Sequence, residues 1–217
     1  KVSGLIMIRD SRGNLVWPYI RMYFYYWYLG KNKEQLQKRH FFKYDYLKRI
    51  AIFFLMGSIW RLLFKKRKDV LIMSSQRYNN GTEIYTKDIK ILLNGNYEEF
   101  SFTNNFKFER GPVYLDGMKV LFKLISYVFS PFIRIRSEVF HFQNLLNLDD
   151  SFIKLFRLYY FEYNLWYCFY SILFYFKKYK KVVLVGGVYY SPLIAVAEKR
   201  KVEVFELQHG IIHDLHL

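Results

Sequence analysis

The most constraining feature of this sequence is a strand, helix, strand pattern in residues 180–217. Val182–Val185 is a continuous apolar run, which is typical of a strand buried on both faces of a parallel sheet. Ser191 suits the N-cap of a helix, and Pro192 suits its first position, where a missing N–H costs nothing. Val202–Leu207 then predicts a second strand, parallel and adjacent to the first and joined to it by a right-handed crossover.

The α/β pattern begins at Asp69, where the apolar run "VLIMS" predicts another buried strand. We therefore expect residues 69–217 to form a Rossmann-like domain, a parallel sheet flanked by helices. Residues 1–68 form an aromatic and basic segment in which Trp17–Trp27 has helical spacing, and its helices are expected to pack on that domain. Further predicted elements are a strand at 98–103 and helices at 82–92, 115–129, 134–148 and 152–179.

The composition favours anionic partners. The 217 residues include 34 Lys and Arg against 18 Asp and Glu, for a formal net charge of +16. Nucleic acid, acidic lipid and phosphorylated small molecules all fit such a charge. The basic runs Lys31–Arg49 and Lys65–Lys68, beside many aromatic residues, predict a patch that rests on an anionic membrane. Genomic base composition is an equal explanation for the aromatic richness.

Two observations predict where the protein resides. Cys168 is the single cysteine, which excludes an internal disulfide and fits the cytoplasm. Leu165–Phe176, within predicted helix 152–179, is the best candidate for a membrane span, but it has only 12 residues without charge. A crossing helix needs about 20 apolar residues. We therefore expect a peripheral protein on the inner face of the plasma membrane.

His209 is the first candidate for a catalytic group. It follows a predicted parallel strand, and ligands of open α/β sheets collect beyond the carboxyl ends of the strands. Gly210 leaves its flank open, so His209 can serve as a general base or contact a phosphate. Glu206, on the preceding strand, can orient it. The alternatives are a structural loop histidine and a polar strand end.

Other candidates follow the remaining predicted strands. Gln208 stands beside His209. Gly186 and Gly187, followed by Ser191 at the start of the predicted helix, form a possible phosphate cradle, and Tyr190 is a further candidate for substrate binding. A simple turn is the equal alternative for these glycines. Beyond the strand that starts near Asp69 lie Arg77 and Asn80 as binding residues and Glu83 as a further catalytic carboxylate.

Metal chemistry is poorly supported. His209, His213 and His216 lie within eight residues, but no Glu follows His209 in the pattern of a zinc-protease helix. We expect neither a metal nor another cofactor.

Four segments of the chain carry a resemblance to a known family: "VEVFELQHGII", "LVGGVYYSPLIAVAEKRK", "LVWPYIR" and "SSQRYNNGTEIYTKD". They resemble bacterial surface-polysaccharide glycosyltransferases of the GT-B fold, of the capsule and O-antigen type. The resemblance implies that this chain is the acceptor-side N-terminal part, without the second, donor-binding domain. It also implies a nucleotide-sugar donor, a lipid-linked saccharide acceptor, and an inverting, metal-independent transfer. His209 and Gly210 occupy the positions that match the functional motif.

Two other classes of function fit the charge. The first is a non-catalytic scaffold on a membrane surface, which would keep the fold and lose the chemistry. The second is a basic nucleic-acid-binding protein. The sequence contains no helix-turn-helix, zinc-finger or aromatic RNA-binding motif, and its cations are scattered, so we expect no nucleic-acid partner.

Overall fold

The computed structural model describes residues 9–10, 12–31, 66–74, 78–79, 82–83, 86–102, 112–185 and 190–207. In chain order their elements are α1 (Trp17–Lys31), β1 (Val70–Ser74), β2 (Tyr78–Asn79), β3 (Thr82–Glu83), α2 (Lys87–Leu92), β4 (Tyr97–Ser101), β5 (Val113–Tyr114), α3 (Asp116–Phe129), a 3-10 turn (Ser130–Phe132), α4 (Ser137–Leu145), α5 (Asp150–Lys177), β6 (Lys181–Val185), α6 (Ser191–Lys199) and β7 (Glu203–Leu207).

The sheet confirms the predicted α/β class. Its five strands are all parallel and lie in the order β5-β4-β1-β6-β7, which is the order of a Rossmann-like sheet. β6 and β7 are adjacent, with Lys181 opposite Glu203 and Val185 opposite Leu207, as the strand, helix, strand pattern predicts. β2 and β3 form a separate antiparallel pair.

Both faces of the sheet are covered by apolar side chains. Residues of alternating position in β1, such as Leu71 and Met73, belong to the large core beneath α5 and α6. Val70 and Ile72 belong to a smaller cluster on the other face, with partly buried residues at α2. Burial on both faces explains why the central strands are continuous apolar runs.

Helix α5 is much longer than the sheet that it covers. Its 28 residues span about 42 Å, whereas a five-residue strand spans about 16 Å. The N-terminal half of α5 packs instead with α1, α3 and α4 in a layer that we call the helical cap. Aromatic contacts join the layer, including Tyr19–Tyr163 at 5.8 Å and Phe24–Phe152 at 5.5 Å between ring centroids.

Two details of the predicted helices are wrong. The helix predicted at 82–92 begins only at Lys87, as α2, and Thr82 lies in β3 instead. Asn80 and Gly81 stand between the paired strands, and Asn-Gly is the dipeptide most favoured between two strands of a hairpin. Ser191 is already the first helical residue of α6, so Tyr190 occupies the N-cap position and makes no side-chain cap.

Candidate functional site

The structure describes three of the predicted site residues with their side chains: Tyr190, Ser191 and Glu206. Glu83 lies in β3, where only the backbone is described. The others lie outside the described residues: Arg77, Asn80, Gly187, Gln208, His209 and Gly210. In sequence, Arg77 follows the end of β1, Gly187 follows the end of β6, and His209 follows the end of β7.

Ser191 and Glu206 line one open groove of about 340 Å³. Ser191 comes from the start of α6 and Glu206 from the carboxyl end of β7, so the groove begins at the edge of the sheet where ligands of α/β proteins collect. Its other wall is the segment that precedes and opens α1. The complete lining is Arg9, Gly13, Asn14, Leu15, Pro18, Ser191, Ile194, Ala195, Glu198 and Glu206.

The lining is mixed in chemistry. Two acidic residues, Glu198 and Glu206, line the groove together with Arg9 and Asn14. Apolar surface comes from Pro18, Ile194 and Ala195. Half of the ten lining residues are polar or charged, so the groove combines apolar contact area with groups that can orient a ligand. A sugar ring, with hydroxyls at its rim and C–H groups on its faces, has matching chemistry.

The wall opposite α6 is organised by the buried carboxylate of Asp10, which is 1% exposed. Asp10 accepts hydrogen bonds from the backbone N–H groups of Arg12 and Asn14, at 2.9 and 2.8 Å, and from both of their side chains. Burial raises the pKa of this carboxyl, but the hydrogen bonds from Asn14 and Arg12 outweigh burial and hold the pKa below its usual range. Gly13 adopts a φ of +84°, which a side chain would strain.

Arg12 fixes this wall onto α5. Its guanidinium lies 3.9 Å from the centre of the Tyr167 ring and donates a hydrogen bond to Asn164. The wall is therefore held by a cation–π contact and a side-chain hydrogen bond on a rigid helix. Arg9 adds a hydrogen bond from Nη1 to the Gly13 carbonyl at 2.5 Å. None of the predicted site residues belongs to this wall, although "DSRGN" carries the Asp, Gly and Asn residues that favour tight turns.

Tyr190 and Ser191 differ in environment although they are neighbours. The Tyr190 ring is buried and stacks on Phe102 at 6.3 Å, and burial raises the pKa of its hydroxyl. Ser191 lines the groove, and its buried Oγ atom has no hydrogen-bond partner among residues that the structure describes. The Oγ atom is shielded by the protein, so Ser191 contributes to the wall of the groove without presenting its hydroxyl to a ligand.

Within the described ranges, no cluster of three or more histidine, cysteine or acidic side chains is suited to a metal ion. None of the helices in the described part of the chain combines the length and apolar character that a membrane crossing requires. Comparison of the chain with family models, curated proteins and solved structures finds no match.

Proposed function

We propose that this chain is the acceptor-side part of a GT-B glycosyltransferase that acts in bacterial surface-polysaccharide biosynthesis. It receives a lipid-linked saccharide in the groove, and the donor is a nucleotide-activated sugar. The observation that carries the proposal is the groove itself, which joins Ser191 and Glu206 beside a Rossmann-like sheet. The enzyme works in the cytoplasm, peripheral to the inner face of the plasma membrane.

The proposed step is an inverting displacement. His209 accepts the proton of the acceptor hydroxyl while that oxygen forms a bond to the anomeric carbon of the donor. The bond from the anomeric carbon to the phosphate oxygen breaks, and the nucleotide leaves with the electron pair. Basic side chains and helix N-termini stabilise the charge of the leaving group, so this step uses no metal.

Glu206 has a second role in the proposal. It lies three residues before His209, at the same end of β7, and it lines the groove. A carboxylate near an imidazole favours the protonated form of the imidazole. Glu206 would therefore stabilise His209 after it has accepted the proton. Arg9, on the wall opposite α6, offers its guanidinium to the saccharide.

The test measures nucleotide release by the natural protein from a panel of UDP-, GDP- and CMP-sugars, with polyprenyl-diphosphate-linked saccharides as acceptors. We expect His209→Ala to lower turnover roughly a hundredfold, the usual scale for loss of a general base. Glu206→Gln should lower it roughly tenfold. Glu138→Gln is the matched control, because Glu138 is an exposed carboxylate in the first turn of α4 and does not line the groove, and its turnover should equal that of the parent.

Two results would contradict the proposal. One is the absence of turnover with every donor in the panel, which favours a non-catalytic scaffold. The other is a folded His209→Ala variant with parental turnover, which assigns His209 a structural role. Circular dichroism of each variant separates loss of chemistry from loss of fold.

A further inference from the structure

The edge of the sheet opposite the groove concentrates positive charge. Because the strands are parallel, the segments that precede them reach the same edge. Three such segments lead into β1, β6 and β7, and each of the last two includes the first residue of its strand. They are 66–69, 178–181 and 199–203, and together they contain nine basic and two acidic residues. The two acidic residues, Asp69 and Glu203, pair with Lys180 and Lys181 at 3.3 and 3.4 Å. The edge therefore keeps a large excess of positive charge.

Backbone hydrogen bonds hold the three segments side by side. The backbone N–H of Lys180 donates to the carbonyl of Asp69 at 2.8 Å, and the N–H of Glu203 donates to the carbonyl of Lys180 at 3.2 Å. Lys68 is fixed as well, because its Nζ atom donates to the carbonyl of Gly95 at 2.6 Å. The cations thus belong to one surface, which we call the basic edge.

An apolar stripe adjoins the basic edge. The last turns of α5 expose Ile172, Tyr175 and Phe176, which are 58%, 64% and 55% accessible. Spacings of three and four residues put these side chains on one side of the helix. Arg200 links the stripe to the basic edge, since its guanidinium lies 5.8 Å from the Tyr175 ring centre and donates to the Ser171 carbonyl at 3.3 Å.

We propose that the basic edge and this apolar stripe form the surface by which the protein docks on an anionic lipid bilayer. Lipid headgroups attract the cations, and aromatic and aliphatic side chains enter the boundary between headgroups and acyl chains. A nucleic acid would match the charge equally, but aliphatic and Phe side chains such as Ile172 and Phe176 gain most from a lipid interface. This inference extends the membrane association proposed above and is independent of sugar transfer, because vesicle binding and nucleotide release are measured separately.

A second apolar surface lies in the helical cap and serves as the internal comparison. Val128 and Phe132, at the end of α3 and in the turn after it, are 62% and 81% accessible. Its charge is much sparser, because the sequence from 117 to 137 holds four basic residues. Both surfaces expose apolar side chains, but the basic edge carries more positive charge. The basic edge is therefore the better candidate for binding an anionic bilayer.

The test is co-sedimentation of the natural protein with phosphatidylcholine vesicles that contain or lack phosphatidylglycerol. The variant Lys66→Gln/Lys178→Gln/Lys199→Gln removes one exposed cation from each segment of the basic edge. Each cation near an anionic surface strengthens binding about fivefold, so we expect the partition coefficient to fall roughly a hundredfold. The matched control, Lys87→Gln/Arg134→Gln/Lys154→Gln, removes the same charge from exposed sites elsewhere and should reduce binding far less.

A second pair of variants tests the apolar stripe. Ile172→Ser/Phe176→Ser should lower binding to anionic vesicles roughly tenfold, whereas Val128→Ser/Phe132→Ser in the cap should leave it close to parental. Equal losses in the two charge variants or in the two apolar variants would overturn the proposal. So would equal binding to neutral and anionic vesicles. Binding to a DNA duplex through Lys66, Lys178 and Lys199, without vesicle binding, would assign the edge to nucleic acid instead.

Discussion

Glu98 is fully buried near the start of β4. Among the described residues, only one of its two carboxylate oxygens has a partner. Oε2 accepts a hydrogen bond from the Tyr179 hydroxyl at 2.5 Å and lies 3.5 Å from Nζ of the buried Lys177. Oε1 has no hydrogen-bond partner among the described residues. Burial, and then the neighbouring Glu98 charge, raises the pKa of Tyr179, so the tyrosine stays neutral and remains the donor.

Removal of the Lys177 charge should therefore cost more stability than removal of the Tyr179 hydroxyl. We expect Lys177→Met to lower the free energy of unfolding by about 3–5 kcal/mol, because it leaves an uncompensated buried carboxylate. Tyr179→Phe should lower it by about 1.5–3 kcal/mol. Urea denaturation measures both. Lys180→Met is the control, since its pair with Asp69 is exposed; a loss as large as that of Lys177→Met would show that burial does not set the cost.

At the scale of elements, the buried strands were the most predictable part of this fold. β1 and β6 lie at the centre of the sheet, so both faces demand apolar side chains and the sequence shows continuous runs. Helix α5 begins two residues before its predicted start at 152, where Asp149 caps it by accepting a hydrogen bond from the Ser151 N–H at 3.0 Å. Central strands and helix caps such as these are determined by residues that are close together in the sequence.

Other elements depend on partners distant in sequence. β5 has only two residues, Val113 and Tyr114, and is a strand because it pairs with the end of β4. The groove wall around Asp10 depends on α5, which follows more than a hundred residues later. Of the predicted site, the structure joins Ser191 and Glu206 in one groove, whereas Tyr190 stacks in the core beside it. The catalytic role of His209 stays a prediction.

The buried carboxylate of Asp10 should make the free energy of unfolding depend on pH. Its pKa in the folded state is below the ordinary value of 3.8, so the stabilisation from this carboxylate is complete above about pH 4 and is lost as pH falls through the folded-state pKa. At pH 7 we expect Asp10→Asn to cost about 2–3 kcal/mol, since an amide cannot accept all four hydrogen bonds. The difference from the parent should shrink below pH 4.

Urea midpoints measured from pH 2.5 to 7 check this dependence. Asp88→Asn, on the exposed first turn of α2, is the control and should cost less than 1 kcal/mol. A constant difference between Asp10→Asn and the parent at every pH would contradict the role assigned to the carboxylate charge.

At the scale of the whole molecule, α1 and the sheet share one hydrophobic core. Val16, Tyr19 and Ile20 belong to the same cluster as Leu71 of β1 and Leu184 of β6. The sequence predicts a boundary at residue 68 between the N-terminal segment and the Rossmann-like domain. Because α1 and the sheet share one core, neither can unfold without exposing apolar side chains of the other, so we expect them to unfold together.

Ile20→Ala tests that coupling. The side chain is fully buried, so its truncation should lower the free energy of unfolding by about 2–5 kcal/mol. Urea curves from tryptophan fluorescence and from far-ultraviolet circular dichroism should shift together. Leu92→Ala, at a highly exposed position, should change stability by less than about 0.5 kcal/mol. Separate transitions for the two probes would mean that α1 and the sheet unfold independently.

The docking of α1 onto α5 also has a consequence for synthesis on the ribosome. Arg12 and its partner Asn164 lie 152 residues apart in sequence. At about 5–20 residues per second, the N-terminal residues wait roughly 8–30 seconds before their partner helix emerges. During that interval Tyr19 and Ile20, buried in the finished fold, have no core to enter. A nascent-chain chaperone that shields apolar side chains would therefore act first on this helix.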